Sequence, residues 1–299
     1  MPEPISIGAI AYFDMLRQKL NGEVGKLQSD GWQVSLAESQ VGDIRFVDCT
    51  LEDPARYLYP SEILEYDLRR QVATVVSDLI VNRWEQDLLQ EIIMGEYYYF
   101  GEEERRVILD YACRHLNQTL SGLEDQATSR LTRQVIIIHK LLDYLAVHSQ
   151  LVVDGFIRFR LKEYVSQLEE CVERAVDDFI MEREYREFVN LLKYFVEIQE
   201  PRIDEVHVTC SPEGRFNLWN KEKKIIENNG LEAFAEDEAF QDINYEDLLV
   251  SALITLAPGQ IVLHLPRDGR FHNTINTLNN VFTERVTLCP GCEWCGVVH

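Results

Sequence analysis

Cysteines recur at every third position in CPGCEWCGVVH, at Cys289, Cys292 and Cys295, and His299 follows four residues later. Thiolates and imidazoles are the ligands zinc prefers, usually four around one ion. CPGC and CEWCG each have the form of a knuckle, a turn that aims two thiolates and backbone N–H groups at one metal. Cys289, Cys292, Cys295 and His299 would then supply four ligands from one short segment, a closer spacing than two separated knuckles give. The C-x2-C-x2-C step is also that of iron–sulfur runs, but no fourth cysteine or following proline completes one. A C-x-x-C pair can exchange thiols when its surroundings lower a cysteine pKa, although here the motif does not open a helix. Unliganded thiols on a short tail are the plainest expectation, with zinc the alternative worth testing. Cys210, on a neighbouring hairpin, is a further thiol that could reach the group.

The elements that must position these residues fill positions 202–299. VHVTC and RFNLWN flank the turn-rich SPEG and predict a hairpin. Strand alternation turns Val206, Val208 and Cys210 one way and His207 and Thr209 the other. YEDLLVSALITLA predicts a helix, capped by Asn244 and ended at Pro258-Gly259. Strand QIVLHL, helix FHNTINTLNNVF and strand RVTLC then predict a parallel pair with a crossover. Ligand sites in such sheets gather beyond the carboxyl ends of the strands. PRDGR, with Arg267 and Asp268, follows the first of these strands as a candidate ligand loop, and the cysteines follow the second.

Upstream the periodicity changes twice. Residues 1–52 predict a small α/β unit: a strand at ISIGAI, a helix with apolar Phe13, Leu16, Leu20, Val24 and Leu27, and two alternating strands that turn near Asp43. Residues 53–201 predict an almost entirely helical domain opened near Pro60. Within it, GEYYYFGEEE marks a break whose aromatics should pin a helix hairpin. His139 and His148, on one helix, do not have the spacing of a ligand pair. The stretch from Phe156 to Pro201 is the longest periodic element: Leu161, Val165, Leu168, Val172, Ala175 and Phe179 share a face, MEREY interrupts the pattern, and Tyr185, Phe188, Leu192 and Phe195 resume it, which if unbroken makes one long helix. The fold class is α+β, a helical middle of four or more helices between the N-terminal α/β unit and a C-terminal β-hairpin/βαβ unit.

Composition narrows the function. Lys and Arg number 29 against 51 Asp and Glu, a net charge of −22. Such a field repels phosphate backbones and anionic lipid, so neither nucleic acid nor membrane is an expected partner. The apolar run from Val135 to Val147 is cut by His139, Lys140 and Asp143 and falls short of the roughly 20 apolar residues a span requires. MPEPISIGAIAYFDMLRQKL lacks a basic leader segment, and a cytoplasmic protein is expected. Seven cysteines scattered over 299 residues do not form a disulfide framework, and Cys49, Cys113, Cys171 and Cys210 read as buried apolar residues. No nucleotide-loop, metalloprotease or nucleophile-elbow motif occurs.

DGFIRFRLKEY (154–164), AVDDFIMEREYREFVNLLKYFVEIQEPRIDEVHV (175–208) and SALITLAPGQIVLH (251–264) resemble the YtxC family of sporulation proteins of endospore-forming bacteria. The likeness spans most of residues 60–299 and rests on extended pattern. It implies a cytoplasmic, sporulation-associated protein and carries over no catalytic residue. The expected function is therefore a non-enzymatic interaction or regulatory protein with a protein partner and no cofactor. The alternative is a metal- or thiol-dependent enzyme or sensor that uses the cysteine cluster.

Overall fold

The computed structural model describes residues 4–29, 31–52, 61–119, 126–211, 215–226, 245–265 and 270–292. Its contacts divide the chain into two units, Met1–Ile180 and Met181–His299. The changes of period near residues 53 and 202 are changes of secondary structure, whereas the division by contact falls inside one long helix.

In the first unit, β1 (Ile5–Ala9) leads into α1 (Phe13–Ser29), whose buried residues are Phe13, Leu16, Leu20, Val24 and Leu27. Steps of three and four place these on one stripe of a helix with 3.6 residues per turn. β2 (Val34–Val41) and β3 (Ile44–Leu51) form an antiparallel hairpin. Gly42, at φ +62°, supplies the left-handed conformation its turn requires. Gly8 is required for another reason: a Cβ there would stand 2.5 Å from the Phe46 ring on the paired strand.

α2 (Ser61–Leu79) passes through a π-helical turn, Ile80–Trp84, into α3 (Glu85–Glu96), and α4 (Glu102–Thr119) and α5 (Gln126–Leu145) follow. β4 (Gln150–Val152) interrupts the helices and pairs parallel to β1, giving the sheet order β2-β3-β1-β4. The middle is helical as expected apart from this strand, whose three residues carry too little alternation to signal it but can still complete the edge of β1. The periodic stretch from Phe156 is two helices, α6 (Val153–Arg160) and α7 (Lys162–Ile198), and α7 runs through MEREY without a break. The chain leaves helical geometry at Leu161, at φ −105° and ψ 31°. Sheet and helices share one core, which runs from Ile5 to Val176. At the 97–101 break, Phe100 is buried edge-on against Phe179 of α7, with centroids 5.4 Å apart, while Tyr98 and Tyr99 are exposed.

This core contains a charged network. The Arg133 guanidinium donates from Nε and one terminal nitrogen to the two Glu85 carboxylate oxygens, at 2.8 and 3.1 Å. Its remaining N–H groups reach Leu116 O, Ser129 Oγ and Asn117 Oδ1 at 3.0–3.3 Å. The Tyr164 hydroxyl donates to Glu85 as well. All five guanidinium donors are therefore used, the condition under which a buried charge is tolerable.

In the second unit, β5 (Ile203–Cys210) and β6 (Phe216–Asn220) form the expected hairpin. α8 (Tyr245–Leu256), β7 (Pro258–His264), α9 (His272–Phe282) and β8 (Val286–Leu288) follow. The sheet order is β6-β5-β7-β8, with β7 parallel to both β5 and β8. One face joins Val206, Val208, Ile261 and Leu263 to Leu249 and Leu253 of α8, Leu278 and Phe282 of α9, and Val189 and Val196 of α7. Tyr185, Phe188 and Phe195, expected inward on α7, are instead about half exposed, so the buried row lies one position away from the expected one.

Candidate metal centre

Strand alternation puts Glu205, His207 and Thr209 of β5, and Val262 and His264 of β7, on the sheet face opposite the helix-packed core. Thr209 pairs with His264, so His207 is the diagonal neighbour of His264 across the ladder. On the other side of β7, Leu263 pairs with Leu288, and Cys289 N–H then donates to Leu263 O at 3.0 Å. The parallel register thus continues one residue beyond β8 and sets Cys289 beside His264. Gly291, at φ +127°, turns the chain and brings Cys292 round. Its N–H donates to Cys289 Sγ at 3.4 Å, the kind of backbone contact a thiolate-holding knuckle makes.

The result is a group of three donors. One ligand atom each from His264, Cys289 and Cys292 lies within 4.8 Å of the others. His264 Nδ1 and Cys292 Sγ are 3.4 Å apart. Tetrahedral bonds of about 2.0–2.3 Å put ligand atoms roughly 3.3–3.8 Å apart, so one pair is at coordination distance and the whole group needs an approach of about 1 Å. His264 is buried, Cys289 partly buried and Cys292 exposed. Burial, and then neighbouring His207, push the His264 pKa below the ordinary histidine value. A neutral imidazole is the form that can bind a metal.

Behind His264 the contacts continue. His264 Nε2 and His207 Nδ1 are 3.0 Å apart, and His207 Nε2 stands 3.3 Å from Glu205 Oε1. Trp219, paired with His207, donates from Nε1 to Thr209 Oγ1 at 2.8 Å.

Of the expected ligands, Cys289 and Cys292 come together here, and Cys295 and His299 lie outside the described residues, as do Arg267 and Asp268. Cys210 points into the core, its thiol donating to Ser211 O at 3.3 Å, and burial raises its pKa. Cys49 and Cys171 are buried as expected and Cys113 partly so. His139 and His148 are exposed. Sequence reasoning missed His264 as a candidate ligand, with His207 and Glu205 behind it. The available signal was a histidine at the carboxyl end of one strand of a parallel pair, with cysteines at the end of the other. Two clefts of about 540 Å3 in the first unit, one against Glu85 and Cys113 and one against Trp84 and Asp154, do not include these residues. Among the described residues no helix is long and apolar enough to cross a membrane.

The sequence profile of the YtxC-like family matches residues 70–287, a span that includes Glu205, His207 and His264 and stops short of Cys289. A curated relative, uncharacterized protein YtxC of Bacillus subtilis (strain 168), is 26% identical over 227 residues, 75% of this chain and 78% of the relative. No solved structure matches.

Proposed function

The chain belongs to the YtxC-like family, and on that premise we propose a sporulation-associated, non-enzymatic protein whose C-terminal unit holds zinc through His264, Cys289 and Cys292. The observation that carries this reading is the convergence of one imidazole and two thiols from the ends of two parallel strands. Two sulfurs and a nitrogen form a donor set suited to a borderline-soft cation such as zinc, whereas calcium and magnesium take oxygen ligands. The role is structural: the ion ties the turn after β8 back to β7, and since structural sites close on four ligands, Cys295 or His299 supplies the fourth. Ligand thiols must lose their protons, so binding weakens as pH falls, and part of the binding free energy appears as folding stability. A net charge of −22 supports a protein that leaves nucleic acid and anionic membranes alone, and the reading sets it in the cytoplasm.

The test is metal analysis of full-length protein after gel filtration, with melting in zinc and in chelator. Expected are about one zinc per chain and a lower melting temperature in chelator. No retained metal, together with a melting temperature that zinc does not move, overturns the reading.

A protein partner is a second reading, favoured by a separate observation. Met181, Tyr185, Phe188, Leu191, Phe195 and Ile198 step along α7 at helical spacing and are each about half exposed or more. Solvated helix faces are normally polar, and a row of large apolar side chains is the form of a helix-in-groove contact. Full-length chain should retain from sporulating cells a protein that a Phe188→Glu, Leu191→Glu variant does not; identical captures sink this reading.

A further inference from the structure

Zinc ligation by His264 uses only its Nδ1, and two polar side chains stand behind that histidine without a part in it. Glu205, His207, His264 and Cys292 form a line, with contacts of 3.3, 3.0 and 3.4 Å in that order. His207 and Glu205 are only 14% and 22% exposed, so the line does not lie loose in solvent.

With both imidazoles neutral, the state reached above the ordinary histidine range, the line has one consistent tautomer pattern. A neutral imidazole carries one N–H and one lone pair, and a carboxylate can only accept. Glu205 Oε1, 3.3 Å from His207 Nε2, favours the His207 proton on that nitrogen. Its Nδ1 is then a lone pair, which accepts from His264 only if His264 carries its proton on Nε2. That leaves the His264 Nδ1 lone pair facing Cys292, where a metal would be bound. The opposite tautomer of either ring sets lone pair against lone pair or N–H against N–H across a contact of about 3 Å, in a setting where unmet polar groups are costly.

We propose that Glu205 and His207 are the positioning residues of this centre: they select the His264 tautomer that presents Nδ1 to the thiols. The proposal rests on the zinc reading for its purpose, but the tautomer can be read without metal. Outer partners that orient a metal-bound histidine are worth about 10–100-fold in affinity, and that is the effect expected here.

The experiment uses 15N-labelled full-length protein with chelator, at a pH well above the ordinary histidine value of about 6.5 so that both rings are neutral, and long-range proton–nitrogen correlations of the His264 ring report the protonated nitrogen. Wild type should show Nε2–H. His207→Leu should give a mixed population, and Glu205→Gln a partial shift, since an amide can donate as well as accept. Zinc affinity, measured by competition with a chromophoric chelator, should fall about 10–100-fold in His207→Leu. It should recover in His207→Gln, whose side-chain oxygen can accept the His264 N–H. Melting in chelator checks that each variant is folded. A wild-type His264 protonated on Nδ1, or a His207→Leu variant with unchanged tautomer and affinity, overturns the proposal. Wild type that takes up no zinc sinks the ligand reading and the positioning role with it. Wild type that takes up zinc alongside an equally avid His207→Leu sinks the positioning role alone.

Discussion

A buried or half-buried carboxylate stands at the head of a polar network in each unit, and the two networks end differently. Glu85 meets a guanidinium whose five donors are all met by protein oxygens, and Tyr164 closes the remaining side. Glu205 meets an imidazole, which meets a second imidazole, and that one faces an exposed thiol. The first network borders the cleft beside Glu85 and Cys113, yet its groups are turned to one another, and Arg133 is only 2% exposed. The second carries a directional choice, because each imidazole can hold its proton on either nitrogen, and it delivers that choice to the surface. A guanidinium has no such alternative, since it stays protonated and only donates. The comparison teaches that burial of polar groups does not by itself mark a site. A network in which every donor has a protein acceptor serves the fold, whereas one that leads to metal-type donors near solvent can serve a ligand.

The contrast predicts separable failures. The largest effect is expected from Arg133→Met. It strands the Glu85 carboxylate in the core and should cost about 3–5 kcal/mol, read from chemical unfolding, with zinc uptake by folded protein unchanged. A variant that also lost zinc would show the two networks to be coupled. Cys292→Ser should abolish the zinc-dependent part of the melting temperature. With free zinc at 100 times Kd, that part is worth about 2.7 kcal/mol, and stability in chelator should match wild type. Tyr164→Phe removes one hydrogen bond to a carboxylate that keeps its guanidinium partner, so a loss of about 1.5–3 kcal/mol is expected by denaturant titration.

The smallest effect separates the thiols of the two units. Burial, and then Asp48, push the Cys49 thiol up to about 12. An unfolded chain releases that proton near pH 9 while the folded one keeps it, so unfolding gains driving force as pH rises from about 9 towards 12. Stability from this group is thus complete below pH 9 and declines above it. In native protein at neutral pH, alkylation followed by mass spectrometry should label Cys292 before Cys49. Early labelling of Cys49 would show that the first core opens more readily than its packing implies.

The helices of this protein were legible wherever one stripe alone was apolar. Phe13, Leu16, Leu20, Val24 and Leu27 were readable as the inward face of α1 because polar residues fill the rest of its surface. The later half of α7 was not, because it is apolar on two adjacent rows. Tyr185, Phe188 and Phe195 have the same period as Val189 and Val196, and period cannot choose between rows. The second unit's core chose the valines. The β5–β6 hairpin and the β7–α9–β8 order were readable from alternation and turn residues. β4 was not, since three residues form a strand only where β1 offers an edge.

The cysteine spacing and the turn at Gly291 are local properties, and the sequence by itself determined them: residues this close in the chain meet whatever the rest of the molecule does. Alternation likewise determined that His207 faces away from Val206 and Val208. Only the tertiary structure decided that His264 joins Cys292 from 28 residues away. That contact depends on the register of two parallel strands, Leu263 against Leu288, and on the further pairing of β5 with β7 that lays His207 beside His264. Register is set by which apolar residues the helices α7, α8 and α9 bury beneath the sheet, a choice made by the whole core at once and written in no single segment.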